Sequence, residues 1–302
     1  MKKTPNSPRT INSISELHRW LSLPKPEHPL ISLINHAEVK SISTRFIYNF
    51  YSISMKKSFK GKMKYGKNYY DYDEGSMIFV SPGQVLAIDE DDSRGNEGWS
   101  LMIHPDFIRS YHLGKSIKNY GFFSYDVNEA LHLSDKEEVM IESIIENIRL
   151  EYHSSIDLYS QDVMVAQIDL LLNYSNRFYN RQFITRKTAS SDLLVKLEDL
   201  LTEYFDNQND SQAGLPTVKY VSDKLNVSPN YLSDMLRTLT GQNTQQHIHN
   251  KLIEKAKEVL TTTSLSVGEI AYRLGFEHPQ SFNKLFKNKT RVSPLGFRNS
   301  FN

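Results

Sequence analysis

The sequence predicts an α+β chain of two domains: an antiparallel sandwich of short strands with trailing helices, then a separate all-helical module. Three observations predict it. Apolar residues alternate at a period of two between residues 30 and 105. The period lengthens to that of amphipathic helices from about residue 134. A polar stretch, 206–214, closes on Gly214-Leu215-Pro216 and separates the last ninety residues from the rest.

In chain order, residues 1–15 are rich in Pro, Ser and Asn and read as a disordered arm. Ile42, Thr44, Phe46, Tyr48 and Phe50 then alternate with more polar neighbours. Further strands are expected at Ser76 to Val80, Val85 to Ile88 and Trp99 to Ile103, punctuated by turns such as Ser81-Pro82-Gly83. Short strands and turns in this density suit a sandwich or a small barrel. The run Asp89 to Asp92 reads as a solvated loop.

Ser134-Asp135-Lys136-Glu137 fits a capping box and opens a helix with Val139, Ile141, Ile144, Ile145 and Ile148 behind it. A second helix near 157–178 carries Met164, Ile168, Leu171 and Leu172 on one face. A third, near 191–206, spaces Leu193, Leu197, Leu200 and Tyr204 as a narrow seam. That seam fits either packing on its own domain or a homodimer through the 191–206 helix. The domains are thus placed at 16–206 and 217–302, with a linker over 207–216.

The C-terminal module repeats one pattern. Val218, Val221 and Leu225 give a short helix that stops at Asn226, a residue tolerant of left-handed backbone. Ser228-Pro229 starts the next, with Ser as N-cap and Pro at its first position. There Leu232, Met235, Leu236 and Leu239 face inward, while Asn230, Ser233, Asp234 and Arg237 face outward. After a connecting helix over 242–260, Ser266-Val267-Gly268-Glu269 is a second capping box. Ile270, Ala271 and Leu274 turn inward, Gly275 makes the turn, and Pro279 opens a helix lined inside by Phe282, Leu285 and Phe286. Its outer stripe is Gln280, Ser281, Lys284 and Lys287, with His278 just before it. A short helix, a tight turn and a second helix with polar side chains outward is the helix-turn-helix design, whose second helix fits the DNA major groove.

Charge agrees. The 302 residues carry a net +1, but residues 215–302 hold 12 Lys/Arg against 6 Asp/Glu, a net +6. The rest of the chain holds 24 against 29, a net −5. A basic module on an acidic one points to a polyanion as its partner.

The run Ile270-Ala271-Tyr272-Arg273-Leu274-Gly275-Phe276, with Phe282-Asn283-Lys284-Leu285-Phe286-Lys287, Ser293-Pro294 and Phe297-Arg298, resembles the signature of AraC-type (AraC/XylS) transcription regulators. Leu232, Thr240-Gly241 and the helix from Leu252 to Leu260 extend the resemblance over about residues 216–300. It implies two recognition helices of one subunit placed in successive major grooves of double-stranded DNA. By position, the family's base contacts fall on Asn230, Ser233 and Asp234, and on Pro279, Gln280, Ser281 and Lys284. Activation through contact with RNA polymerase is implied as well. So is an N-terminal cupin-like sandwich that binds a small-molecule effector or dimerises. Gly75 to Gly83 and Trp99 to Phe107 resemble its strand-to-turn and strand-to-helix passages.

The sequence departs from the family at Ser222, at Leu252 beside Lys251, and at Arg291, which replaces the usual Gly. Asp234 stands where a basic residue is frequent. A carboxylate repels phosphate and cannot pair with guanine acceptors, but it can accept from cytosine N4. Either the first unit reads cytosine, or the second dominates; the cluster Lys284, Lys287, Lys289 and Arg291 favours the second.

Other chemistries find little footing. The chain has no cysteine, which excludes disulfides, thiolate metal sites and cysteine nucleophiles. No segment approaches the ~18 apolar residues of a membrane span, and Met1 to Pro8 is not followed by a signal-peptide core, so a cytoplasmic location is expected. A metal-dependent cupin-like enzyme, the sharpest rival, needs convergent His and carboxylate ligands. The segment Asn68 to Asp73 carries tyrosines and no His-x-His, so no metal, cofactor or catalytic residue is assigned. His104 before Pro105 reads as structural, and His247 and His249 fall on different helix faces. A helical adaptor without DNA binding is the other alternative.

Overall fold

The computed structural model describes residues 8–39, 44–57, 62–65, 68–71, 75–88, 97–126, 129–155, 157–185, 187–206 and 214–301. The chain divides into two compact units, Met1–Gln182 and Phe183–Asn302.

The first unit begins with strand β1 (Arg9–Ile11) and helix α1 (Ile14–Leu21). Strands β2 (Ile31–Asn35), β3 (Thr44–Tyr48), β4 (Tyr51–Lys57), β5 (Lys62–Tyr65), β6 (Asn68–Asp71), β7 (Ser76–Val80), β8 (Val85–Ile88) and β9 (Glu97–Ile103) follow. Short helices α2 (Pro105–Ile108) and α3 (His112–Ser116), strand β10 (Leu131–His132), and long helices α4 (Asp135–Tyr152) and α5 (Ser160–Thr185), whose last three residues fall in the second unit, follow in turn.

One sheet has the order β10-β7-β4-β9-β2 and is antiparallel throughout. A second has the order β1-β3-β8, and β5 pairs with β6. In the larger sheet Ser54 of β4 lies opposite Ser100 of β9 and Ile78 of β7, while Ser52 lies opposite Met102 and Val80. The period of two therefore assigns faces. Ile34, Ile78, Val80 and Met102 meet Phe46, Tyr48 and Leu86 of the smaller sheet and Ile14 and Leu17 of α1 in one apolar core. The opposite face turns to the helical side. Phe79 packs against Phe122, Phe123 and Tyr179, and Trp99 Nε1 donates to Glu142 of α4 at 3.3 Å.

The strands expected at 76–80, 85–88 and 99–103 are present, the last extended back to Glu97. Ser134 N–H donates to the Glu137 carboxylate at 2.9 Å, as a capping box requires. The expectation of a disordered arm over 1–15 needs correction from residue 9 onward. β1 runs parallel to β3, and Ile11 and Ile14 are fully buried. Apolar contact with Phe46, distant in sequence, outweighs the polar local composition. Residues 1–7, Ile42, Asp89 to Asp92 and linker positions 207–213 lie outside the described residues.

The second unit is helical: α6 (Lys187–Asp206), α7 (Val218–Leu225), α8 (Pro229–Thr240), α9 (Thr244–Thr262), α10 (Val267–Arg273), α11 (Pro279–Thr290) and α12 (Pro294–Asn299). Its boundary precedes the expected 207–216 linker because α6 packs on α7 and α9. The buried stripe of α6 is Leu197, Leu201 and Phe205, offset from the Leu193–Leu200 seam read from spacing. Phe205 joins Leu252, Ile253 and Ala256 of α9, and Tyr204 donates to the Gly214 carbonyl at 3.0 Å. Of the two open readings of the 191–206 helix, packing on its own domain fits the buried stripe.

Candidate nucleic-acid interface

Two copies of one local design build the interface. Thr217 caps α7 by accepting from Tyr220 N–H, and Ser266 caps α10 by accepting from Glu269 N–H. Ser266 N–H in turn donates to the Glu269 carboxylate at 2.7 Å, and hydrogen bonding from the Ser266 side chain and backbone holds that carboxyl below its usual range. Each first helix ends in the same pair of hydrogen bonds. Val227 N–H donates to Ser222 O (3.1 Å) and Asn226 N–H to Asp223 O (3.3 Å). In the second copy Phe276 N–H donates to Ala271 O and Gly275 N–H to Tyr272 O, both at 3.0 Å. This closure needs one left-handed residue, supplied by Asn226 at φ 55° and Gly275 at φ 88°.

Each second helix opens with proline, after Ser228 in α8 and His278 in α11. Their ends correspond too. Thr240 and Thr290 each donate back to the carbonyl four residues earlier at 2.8 Å, followed by left-handed Gly241 (φ 75°) and Arg291 (φ 68°). Arg291 therefore adopts the same left-handed backbone as Gly241 of the first copy. Phe282 and Phe286 are fully buried beneath α11, each contributing about 2 kcal/mol of apolar burial. Leu232 and Leu236 do the same for α8.

The outward faces differ. On α8, Asn230 and Arg237 are exposed, whereas Ser233 and Asp234 are half-buried. Ser233 Oγ turns to Thr244 Oγ1 of α9 at 2.9 Å. Arg237 Nη1 donates to Asp234 Oδ1 at 2.8 Å, so the cation and the carboxylate of this face engage each other. On α11, Gln280, Ser281, Lys284 and Lys287 are all exposed, and His278 is exposed without capping the helix through its ring. Lys284 occupies the place in α11 that Asp234 occupies in α8, counted from the opening proline. The same count pairs exposed Asn283 with Ser233, a position that outward-stripe reasoning passed over and that aligning the two copies would have found.

His104, His247 and His249 have structural partners. His104 caps α2, accepting from Asp106 N–H at 3.3 Å. His247 lies between Thr240 (2.9 Å) and Glu198 (3.5 Å), and His249 pairs with Gln245 at 2.9 Å. Among the described residues no group of three or more His, Cys, Asp or Glu converges as a metal site would need. Among them, too, no helix is long and apolar enough to cross a membrane.

Residues 221–300 match the family described as a helix-turn-helix domain. The chain is 22% identical over 231 residues to the HTH-type transcriptional regulator YijO of Escherichia coli K12, itself uncharacterised, covering 76% of this chain and 77% of that one. It is 28% identical over 139 residues to the HTH-type transcriptional activator RhaS of Escherichia coli O9:H4, covering 46% of this chain and 45% of RhaS. Thus it matches less than half the length of RhaS. Among solved structures, the C-terminal domain of the two-component response regulator yesN from Fusobacterium nucleatum is 34% identical, with a TM-score of 0.29, covering 33% of this chain and 96% of that domain.

Proposed function

We infer that this chain, which carries an AraC-type helix-turn-helix domain over residues 221–300, is a transcription regulator that binds double-stranded DNA in a sequence-specific way. One observation carries the reading: two helix-turn-helix units with matching turn hydrogen bonds, joined by the single helix α9 in a segment of net charge +6. Such units place α8 and α11 in successive major grooves. Asn230, Ser233, Asp234 and Arg237 are the reading positions of the first helix. His278, Gln280, Ser281, Lys284 and Lys287 are those of the second.

The second unit supplies most of the sequence preference. Lys284 and Lys287 project from α11 and can pair with phosphates or guanine acceptors. The first unit presents an Arg237–Asp234 pair, and Ser233 is engaged with Thr244. A pair that neutralises itself adds little counterion release on DNA.

The N-terminal unit acts as a cupin-like sandwich that holds a small-molecule effector. Supporting this are polar groups on the inward face of its larger sheet. Ser54 and Ser100 hydroxyls lie 2.7 Å apart, Ser100 meets His36 Nε2 at 2.7 Å, and Ser32 meets His18 Nε2 at 2.8 Å. Activation follows the printed role of RhaS, a transcriptional activator, and RNA polymerase as partner follows only from the resemblance to AraC-type regulators. The protein works in the cytoplasm, where duplex DNA is found, and performs no catalysis.

Selection of duplexes from a random pool, followed by affinity against salt, tests the reading. We expect a motif with two parts about one helical turn apart. Replacing Gln280 and Lys284 with Ala should lower discrimination by about 1–3 kcal/mol per lost base contact. Undiminished discrimination would remove α11 as the main reader, and salt-independent binding would remove DNA as the partner.

A further inference from the structure

Both recognition helices rest on α9, but they are held in different ways. α8 is tied by two side-chain hydrogen bonds, Ser233–Thr244 and Thr240–His247. Both also bury apolar side chains, Leu232 and Leu236 under α8 and Phe282 and Phe286 under α11, the latter in the cluster of Leu252, Ile253 and Ala256. Apolar packing has no direction of its own, so it leaves a helix freedom to rock about the contact. A hydrogen bond fixes both distance and angle.

One such tie exists for α11, and it leads on to the other unit. Lys289 Nζ, in the last turn of α11, donates to Asn250 Oδ1 at 2.8 Å. Asn250 Nδ2 donates to Gln242 Oε1 at 2.7 Å, and Gln242 sits in the turn between α8 and α9. The relay therefore runs from the C-terminal end of one recognition helix, through the middle of α9, to the C-terminal end of the other. It is not part of the repeated design, since Leu239 occupies the place in α8 that Lys289 occupies in α11. Burial, and after it the charge of Lys289, lowers the pKa of the neighbouring His249 ring.

We propose that Asn250 is a positioning residue that sets the separation and rotational phase of the two recognition helices, and with them the operator spacing the protein selects. The proposal rests on the reading that both units engage DNA. Moving one half-site by a single base pair shifts it by about 3.4 Å along the axis and by about one tenth of a turn around it. A fixed pair of readers loses one set of contacts under that shift, whereas a hinged pair follows it.

The test uses the full chain, with affinity measured on duplexes whose two half-sites are at the selected spacing or one base pair nearer or farther. The wild-type protein should bind the shifted duplexes more weakly. Asn250→Ala should reduce that spacing penalty about fivefold while holding affinity for an isolated second half-site. Asn250→Asp, which keeps an acceptor for Lys289 and can accept from the Gln242 amide once that amide turns its Nε2 inward, should retain most of the penalty. An unchanged penalty in Asn250→Ala overturns the proposal. An equal loss on every duplex, together with a lower Tm, marks a purely structural role and overturns it as well. If the wild-type protein shows no spacing preference, the two-reader premise itself fails, an outcome visible without any variant.

Discussion

His36 carries the largest titration consequence of any single described histidine. Its Nε2 meets Ser100 Oγ at 2.7 Å, while its Nδ1 is buried without a hydrogen-bond partner. Burial, and after it the charge of Lys56, lowers its pKa from 6.5 to about 4. The ring is therefore neutral in the folded protein across the range where the unfolded chain takes up a proton. Stability from this group is complete above pH 6.5 and falls as the pH drops toward 4, by about 3 kcal/mol in all. Thermal unfolding of the wild-type protein should consequently weaken faster between pH 6.5 and 4 than that of His36→Gln. Parallel pH profiles would show that the ring is protonated in the fold. Arg291 makes a different point at the same scale. As a departure from the family pattern it could be read from sequence, but its left-handed backbone, φ 68°, had to be seen. A non-glycine residue there costs about 1 kcal/mol, and the cation it brings to the end of α11 is what the position gains.

At the scale of elements, two glycines with similar backbones, one closing α8 and one in the turn after α10, predict different sensitivities. Gly241 has φ 75° and open space where a Cβ would lie, so Gly241→Ala should cost only the backbone strain, about 1 kcal/mol. Gly275 has φ 88°, and a Cβ there would lie 2.3 Å from the Gly214 carbonyl oxygen. Since backbone must move to make room, Gly275→Ala should destabilise the C-terminal unit by more than about 3 kcal/mol. Denaturant unfolding of both variants checks this, and equal losses would mean that the 214–215 segment yields freely. Gly275 was legible as a turn residue because helix punctuation is local. Its contact with Gly214 was not, because 60 positions of chain intervene. The same distinction sorts the other elements. β7, β8 and both recognition helices follow from alternation, caps and prolines within a few residues. β1 is only three residues long and pairs in parallel with β3, so nothing near Arg9–Ile11 in sequence announces it.

For the whole molecule, the sequence showed that a basic helical module follows an acidic strand-rich one, but misplaced where the second unit begins. Spacing alone gave α6 a narrow seam of Leu193, Leu197, Leu200 and Tyr204. Only the fold shows that the stripe used is Leu197, Leu201 and Phe205, one shared residue notwithstanding. Polar ties support the same assignment. Lys255 of α9 donates to Asp206 at 2.7 Å, and that bond raises the lysine pKa and lowers the aspartate's. The DNA-binding unit thus needs α6 to cover the Leu252, Ile253 and Ala256 side of α9. A fragment spanning 183–302 should unfold cooperatively at a clearly higher Tm than one spanning 214–302. Three buried side chains set an upper bound of about 6 kcal/mol on the difference. Leu197→Ala with Leu201→Ala in the full chain should lower the same transition and weaken DNA binding together, since the readers stand on α9. Equal Tm values for the two fragments would return α6 to the N-terminal unit and leave the helix-turn-helix pair self-sufficient from residue 214.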